Sequence, residues 1–214
     1  MTDDTPTRVL HAAGPIFAEK GYESATIREI CAAAGVNLAS VNYHFGDKQA
    51  LYLETVKLAH RLRLQQVPPP RWSPDSTPES RLRQFIKVML TRMLGTHELG
   101  WQTQLMMREM LQPTGACRSI IEEFIRPELN RLLGVLDDLL PQDVGEEQRL
   151  QIAFSIVGQC LHYRVAGEFV AMLVPEHVRE SHYQIDQLAE HISNFSLAAI
   201  RSLKATEPTN SNDS

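Results

Sequence analysis

The stretch from Thr26 to Lys48, T-I-R-E-I-C-A-A-A-G-V-N-L-A-S-V-N-Y-H-F-G-D-K, constrains the fold more than any other. Thr26 and Glu29 stand three apart, the spacing at which a threonine hydroxyl and a glutamate carboxylate satisfy free backbone N–H groups at a helix start. Ile27, Ile30, Cys31 and Ala34 then give that helix one apolar stripe, and Gly35 supplies the positive φ that closes a helix without a Cβ penalty. Asn37 is a good N-cap for a second helix, predicted over Leu38 to Phe45. Two short helices joined by a glycine-containing turn form a helix-turn-helix, the second helix being the candidate reading element.

The flanking sequence reads as more helices. Val9, Leu10, Ala13, Ile16 and Phe17 line one face of a first helix that ends at Lys20-Gly21. Pro15 inside it removes one hydrogen bond, so either a kink at Gly14-Pro15 or a later helix start is expected, the kink being favoured because the stripe continues in phase across it. Tyr22 is expected to pack beneath the helix-turn-helix. After Gly46 and Asp47, Leu51, Thr55, Leu58, Ala59 and Leu62 keep helical phase to about residue 65. Val67 to Ser80 then holds five of the chain's twelve prolines, which favour an extended path. Beyond it Leu82, Phe85, Ile86, Met89 and Met93 stripe one helix, and Ile120, Ile121, Phe124, Leu132, Leu136 and Leu139 stripe a longer one despite Pro127. Arg149 to Leu173 is apolar on more than one face and must be covered all round. Ile185, Leu188, Ala189, Ile192, Phe195, Ala199 and Leu203 mark a last amphipathic helix.

No segment alternates like a strand. The expectation is an all-α chain of about nine helices: an N-terminal three-helix helix-turn-helix domain with a connecting fourth helix (residues 1–65), a Pro-rich linker (66–80), a larger helical domain (81–205) and a disordered tail (206–214). No apolar run approaches the roughly 20 residues needed to cross a bilayer, and the first residues lack a signal-peptide core, so a soluble cytoplasmic protein is expected. Cys31, Cys117 and Cys160 are odd in number and widely spaced, and read as buried thiols.

Net charge is -5, which argues at first against a nucleic-acid partner. Residues 1–65, however, carry seven bases and seven acids, and the whole deficit lies beyond them. DNA binding here would rest on a few placed cations and helix N-termini, not on a broad positive field, and would call for a dimer with doubled contacts.

The sequence A-A-G-V-N-L-A-S-V-N-Y-H-F-G-D-K-Q-A-L-Y, preceded by F-A-E-K-G-Y-E-S-A-T-I-R-E-I, resembles the N-terminal domain of TetR-type (TetR/AcrR) transcriptional regulators over about the first 55 residues. The N-Y-H-F-G-D-K variant resembles the CecR-like branch. The resemblance implies a homodimeric repressor that binds a near-palindromic operator and releases it when a small-molecule inducer occupies the C-terminal domain. It assigns base-edge contacts to Arg28, Leu38, Ala39 and Asn42, and phosphate contacts to Thr26, Asn37, Ser40, Tyr43, His44 and Lys48. Side-chain chemistry agrees for several: the Asn42 amide can pair with adenine N6 and N7, Leu38 can pack on a thymine methyl, and Arg28 can reach guanine or a phosphate. Asn42 and Leu38 depart from the commoner family pattern, a change expected to alter the operator sequence. Tyr43 and His44 also have a structural alternative as packing or capping groups.

The C-terminal domain offers weaker signals. Trp101, Met106, Met107, Arg108, Met110, His162 and Tyr163 are the candidates for a mostly apolar ligand pocket, with core packing as the competing reading. Arg108, inside Q-L-M-M-R-E-M-L, needs a partner if buried: Glu109, another protein carboxylate or an anionic ligand. The two last helices have apolar faces that one subunit cannot satisfy, so a homodimer through a four-helix bundle is expected, with reading helices about one DNA turn, 34 to 36 Å, apart. Neither a cofactor nor a metal is implied. The chain has no G-x-G-x-x-G, Walker loop, G-x-S-x-G or H-E-x-x-H motif, and His97-Glu98 and the pair His177 and His182 lack a convincing metal spacing. A small helical enzyme and a helical protein-interaction module without DNA binding remain the competing functions; an enzyme is not expected.

Overall fold

In the computed structural model of this chain the described residues are 4–95 and 100–204. His97, Glu98 and the tail 206–214 lie outside them. The described elements are all helical: α1 (Thr5–Ser24), α2 (Ile27–Ala34), α3 (Leu38–Phe45), α4 (Lys48–Gln66), α5 (Pro78–Leu94), α6 (Gly100–Leu111), α7 (Cys117–Ile120), α8 (Arg126–Leu139), α9 (Glu146–Val165), α10 (Gly167–Leu173), α11 (Glu176–His182) and α12 (Ile185–Lys204). These are twelve, against about nine expected. The additions are the short α7, α10 and α11, each below the length at which hydrophobic periodicity is readable.

Two compact units share the chain, residues 1–68 with 96–127, and residues 69–95 with 128–214. The division expected from the sequence, with a C-terminal domain over 81–205, differs from this at 96–127. Helix α6 instead packs on α1 and α4 within the first unit, because Leu105 joins the core of Val9, Phe17, Ile30, Leu51 and Tyr52. Trp101 lies so close to Gly14 that a Cβ there would meet its ring at 2.5 Å.

Helix α1 is not kinked at Pro15. Its torsions stay helical through Gly14-Pro15 and break at Gly21, with φ 78° and ψ 173°. Pro15 faces solvent, so its missing N–H leaves no buried defect, whereas Gly21 alone can adopt the positive φ that turns the chain toward α2. Tyr22 packs edge to face on Tyr52 of α4 at 5.1 Å.

The longer helix expected across Ile120 is also interrupted. A single wide π-turn, Ile121–Ile125, joins α7 to α8 directly before Pro127, whose ring and missing N–H disfavour an unbroken α-helical ladder. Likewise Arg149 to Leu173 is two helices, α9 and α10, broken at Ala166.

The second unit buries Leu82, Ile86, Leu90, Leu132, Leu136, Ile156 and Ile192. Its first segment is anchored: Trp72 packs on that core, with the guanidinium groups of Arg81 and Arg131 at 6.0 and 5.9 Å from its ring. Among the described residues no helix is long and apolar enough to cross a membrane.

Candidate nucleic-acid interface

The capping box of α2 forms as its spacing requires. The Thr26 hydroxyl accepts from Glu29 N at 3.2 Å, and the Glu29 carboxylate accepts from Thr26 N at 3.0 Å and from the Thr26 hydroxyl at 2.9 Å. Lys20 completes the cluster as an ion pair with Glu29, and its bond, together with those from Thr26, holds the Glu29 carboxyl down at about 2. At the other end Gly35 (φ 64°) closes α2, and the Arg8 guanidinium donates to the carbonyls of Ala34 at 2.7 Å and Gly35 at 3.2 Å. A cation on the last carbonyls of a helix satisfies orphan acceptors and complements the dipole. Asn37 caps α3, its carbonyl oxygen accepting from Ser40 N at 2.8 Å, and Asp47 caps α4 through Ala50 N at 2.8 Å.

These caps fix which faces turn outward. Ile30, Cys31, Ala34 and Val41 are buried, while Thr26, Arg28, Asn37, Leu38, Ala39, Asn42, Tyr43 and His44 are exposed and Ser40 is half-buried. Leu38 is 48% exposed and Tyr43 85%, so both side chains are available to a partner. Arg28 makes no ion pair or hydrogen bond among the described residues. Tyr43 and His44 stack edge to face at 5.0 Å.

Three of the expected contact residues already hold the scaffold. Thr26 and Asn37 spend side-chain acceptors on caps. The Lys48 ammonium donates to the Glu23 carbonyl at 3.0 Å and lies 4.8 Å from the Tyr22 ring centroid. Lys20 is expected from the sequence only as a cation at the end of the first helix, and Arg8 has no expected partner there; their partners lie 9 and 26 residues away and leave no local signature.

The seven residues proposed from the sequence for a ligand pocket are divided between the two units: Trp101, Met106, Met107, Arg108 and Met110 in the first, His162 and Tyr163 in the second. Trp101 packs on α1; Met106 accepts a bond from Arg63 Nη1 at 2.8 Å. Arg108 is not paired with a carboxylate: its Nε donates to Ala18 O at 3.2 Å and its Nη2 to Glu19 O at 2.9 Å, near the end of α1. Glu109 is engaged elsewhere. Buried at 3% exposure, it accepts from the Tyr52 hydroxyl at 2.8 Å and from Thr114 N and Oγ1 at 2.9 and 3.0 Å. In the second unit Tyr163 lines a cavity. Cys160 is fully buried and its thiol is pushed up to about 12 by desolvation; Cys31 is buried and Cys117 half-buried. Among the described residues no group of three or more His, Cys, Asp or Glu side chains is placed to hold a metal.

A capped helix pair with an outward polar face on an all-helical chain defines a helix-turn-helix DNA-binding regulator. The N-terminal region matches the family described as bacterial regulatory proteins, tetR family, over residues 9–55, and residues 78–200 match the C-terminal domain of the HTH-type transcriptional dual regulator CecR. The chain belongs to the tetR family, with a C-terminal domain of the CecR type. It is 25% identical to the transcriptional dual regulator CecR of Shigella flexneri over 174 residues, 77% of this chain and 78% of that protein. The transcriptional repressor AcnR of Corynebacterium glutamicum is 43% identical over 54 residues, 23% of this chain and 29% of its own length. In fold it is similar to a transcriptional regulator from Rhodococcus sp. RHA1 (TM-score 0.65, 16% identity, 93% of this chain and 97% of that one). It is similar too to AibR, solved with isovaleryl coenzyme A and operator DNA (TM-score 0.62, 19% identity, 90% and 97%).

Proposed function

We propose that this regulator is a homodimeric repressor that binds a near-palindromic operator through α3 and is released from it by a small-molecule inducer. The observation that carries the reading is the outward face of α2 and α3. Arg28, Leu38, Ala39 and Asn42 stand exposed for base edges, and Thr26, Asn37, Ser40, Tyr43, His44 and Lys48 surround them for phosphates. AibR, a fold relative solved with both an acyl coenzyme A and its operator, supports a ligand-responsive DNA binder.

The dimer reading rests on the second unit. Along α9 the exposed positions Phe154, Gly158, His162 and Val165 recur at helical spacing, as do His191, Phe195, Ala198 and Ser202 along α12. Phe154 and Phe195 are 59% and 61% exposed, and space around Gly158 is open, so a second copy can approach closely. Two helices from each chain would bury these stripes as a four-helix bundle.

The test is a DNA shift assay with the chain's own upstream region, with salt and competitor varied. Retarded DNA that survives nonspecific competitor, with a steep loss on raising salt, is expected. Absence of binding at low salt would leave a helical interaction module as the better reading.

A further inference from the structure

The second unit holds a cavity of about 360 Å³ lined from the ends of α5 and α9, from α10 and α11, and from the start of α12. That volume is at the small end of what receives small-molecule ligands. Val170 and Leu188 give it apolar wall, and Tyr163 and Tyr183 meet edge to face with centroids 6.1 Å apart. Three charged residues share the lining: Glu176, Arg179 and Glu180.

Arg179 is half-buried, and its Nε donates to the Val174 carbonyl at 3.2 Å, which fixes the guanidinium at the junction of α10 and α11. The rest of its fork has no partner among the described residues, although Glu176 lies one turn before it and Glu180 follows it directly. A guanidinium held at one nitrogen and open at the others suits a planar oxyanion. Two carboxylates on the same wall repel a ligand that carries negative charge alone, and tyrosine faces favour a cation beside them. A ligand with one charge of each sign meets both conditions.

We propose that this cavity binds a small zwitterion with an apolar side chain. Its carboxylate pairs with Arg179, its ammonium lies against Glu176 and Glu180, and its apolar part packs on Tyr163 and Tyr183. The proposal rests on the inducer reading above and names the class of inducer.

Calorimetry on the full chain with leucine, phenylalanine and tryptophan as probes, and with phenethylamine and N-acetylphenylalanine as analogues lacking one charge, tests it. At least one of the amino acids is expected to bind, and each analogue to bind phenylalanine's site at least about tenfold more weakly. Arg179→Gln is expected to erase the discrimination against phenethylamine. Glu176→Gln with Glu180→Gln, both on exposed side chains, is expected to erase that against N-acetylphenylalanine, with melting curves recorded for every variant. No binding by any of the three amino acids overturns the proposal, as does equal binding of phenylalanine and its two analogues. A shift assay separates the two readings. Zwitterion binding that leaves operator affinity unchanged keeps the site and overturns its role in induction. Absence of zwitterion binding, together with operator release by another compound, overturns the site and keeps the inducer reading.

Discussion

The two units leave apolar surface in water in different places. In the first, Phe17, Ile30, Leu51, Tyr52 and Leu105 are fully or almost fully buried, and one of the polar residues buried in the same unit, Glu109, has its hydrogen bonds made. On α2 and α3 the large apolar side chains left in water are Leu38 and Tyr43, on the face proposed to meet DNA. The second unit has an equally dry interior, yet Phe154, Val165, Phe169 and Phe195 are each more than half exposed. On α2 and α3 that exposure is local and fits a nucleic-acid surface, while Met110, Leu111, Ile121 and Ile125, on other elements of the same unit, are exposed as well. Exposure in the second runs along whole helices, which a monomeric protein rarely tolerates.

The largest expected effect breaks the second half of that contrast. Phe154→Asp combined with Phe195→Asp places charges on both proposed bundle faces without touching the core. Light scattering is expected to report a monomer, and operator affinity to fall by about two orders of magnitude or more, since the second half-site loses its tether. A variant that stays dimeric and keeps its operator would move the interface elsewhere.

Next in size is the buried carboxylate of the first unit. Glu109→Ala leaves the Tyr52 hydroxyl and the Thr114 amide without acceptors and is expected to destabilise by about 1–3 kcal/mol in urea unfolding, with Glu109→Gln losing less. The network also raises the Tyr52 phenol above its ordinary range, through burial first and the Glu109 bond second, so the hydroxyl stays a donor. An unchanged midpoint for Glu109→Ala would mean that water replaces the carboxylate.

Asn42→Ala and Lys48→Ala sharpen the distinction between reading and holding. Asn42 is exposed and its side chain has no partner among the described residues, so its loss is expected to cost about 1–3 kcal/mol on the operator and relax preference at one base pair. Lys48→Ala is expected to weaken all DNA alike and to lower the salt slope by about one. It also removes the bond to Glu23 O, so a thermal melt should record a loss of about 0.5–1.5 kcal/mol that Asn42→Ala lacks. Equal losses by Asn42→Ala on specific and scrambled DNA would take it out of the reading set.

What could be read from the sequence was local. The Thr26 to Lys48 motif has its caps within three residues of the groups they satisfy, so spacing alone specified them, and the long amphipathic stripes of α4, α5 and α12 marked their helices. Partnerships across the chain left no such trace. Arg108 could be recognised as needing a partner, but the carbonyls of Ala18 and Glu19 lie about ninety residues back. A backbone acceptor carries no residue signature, so a carboxylate or a ligand was the natural expectation. The same holds for α6, whose apolar stripe fits either unit, and for the cavity, where Arg179 and Tyr183 meet Tyr163 only through the turns around the short α10 and α11. Pro15 misled for the opposite reason: a strong local rule gave way because the residue faces solvent and Gly21 supplied the bend.

The smallest effect concerns the charge in the α2 cap. The Lys20 bond, then those from Thr26, lower the Glu29 carboxyl from 4.5 to about 2. A folded-state value below the unfolded one stabilises the fold fully above the unfolded value, and that contribution disappears as pH falls from about 4.5 through about 2. The melting-temperature gap between wild type and Glu29→Gln should therefore be widest near neutral pH and close across that window. Because the pair is exposed, the gap should also shrink on adding salt. The glutamine keeps an acceptor for Thr26 N but no charge for Lys20, so a gap that persists unchanged to pH 2 would assign the cap's stabilisation to hydrogen-bond geometry and not to the ion pair.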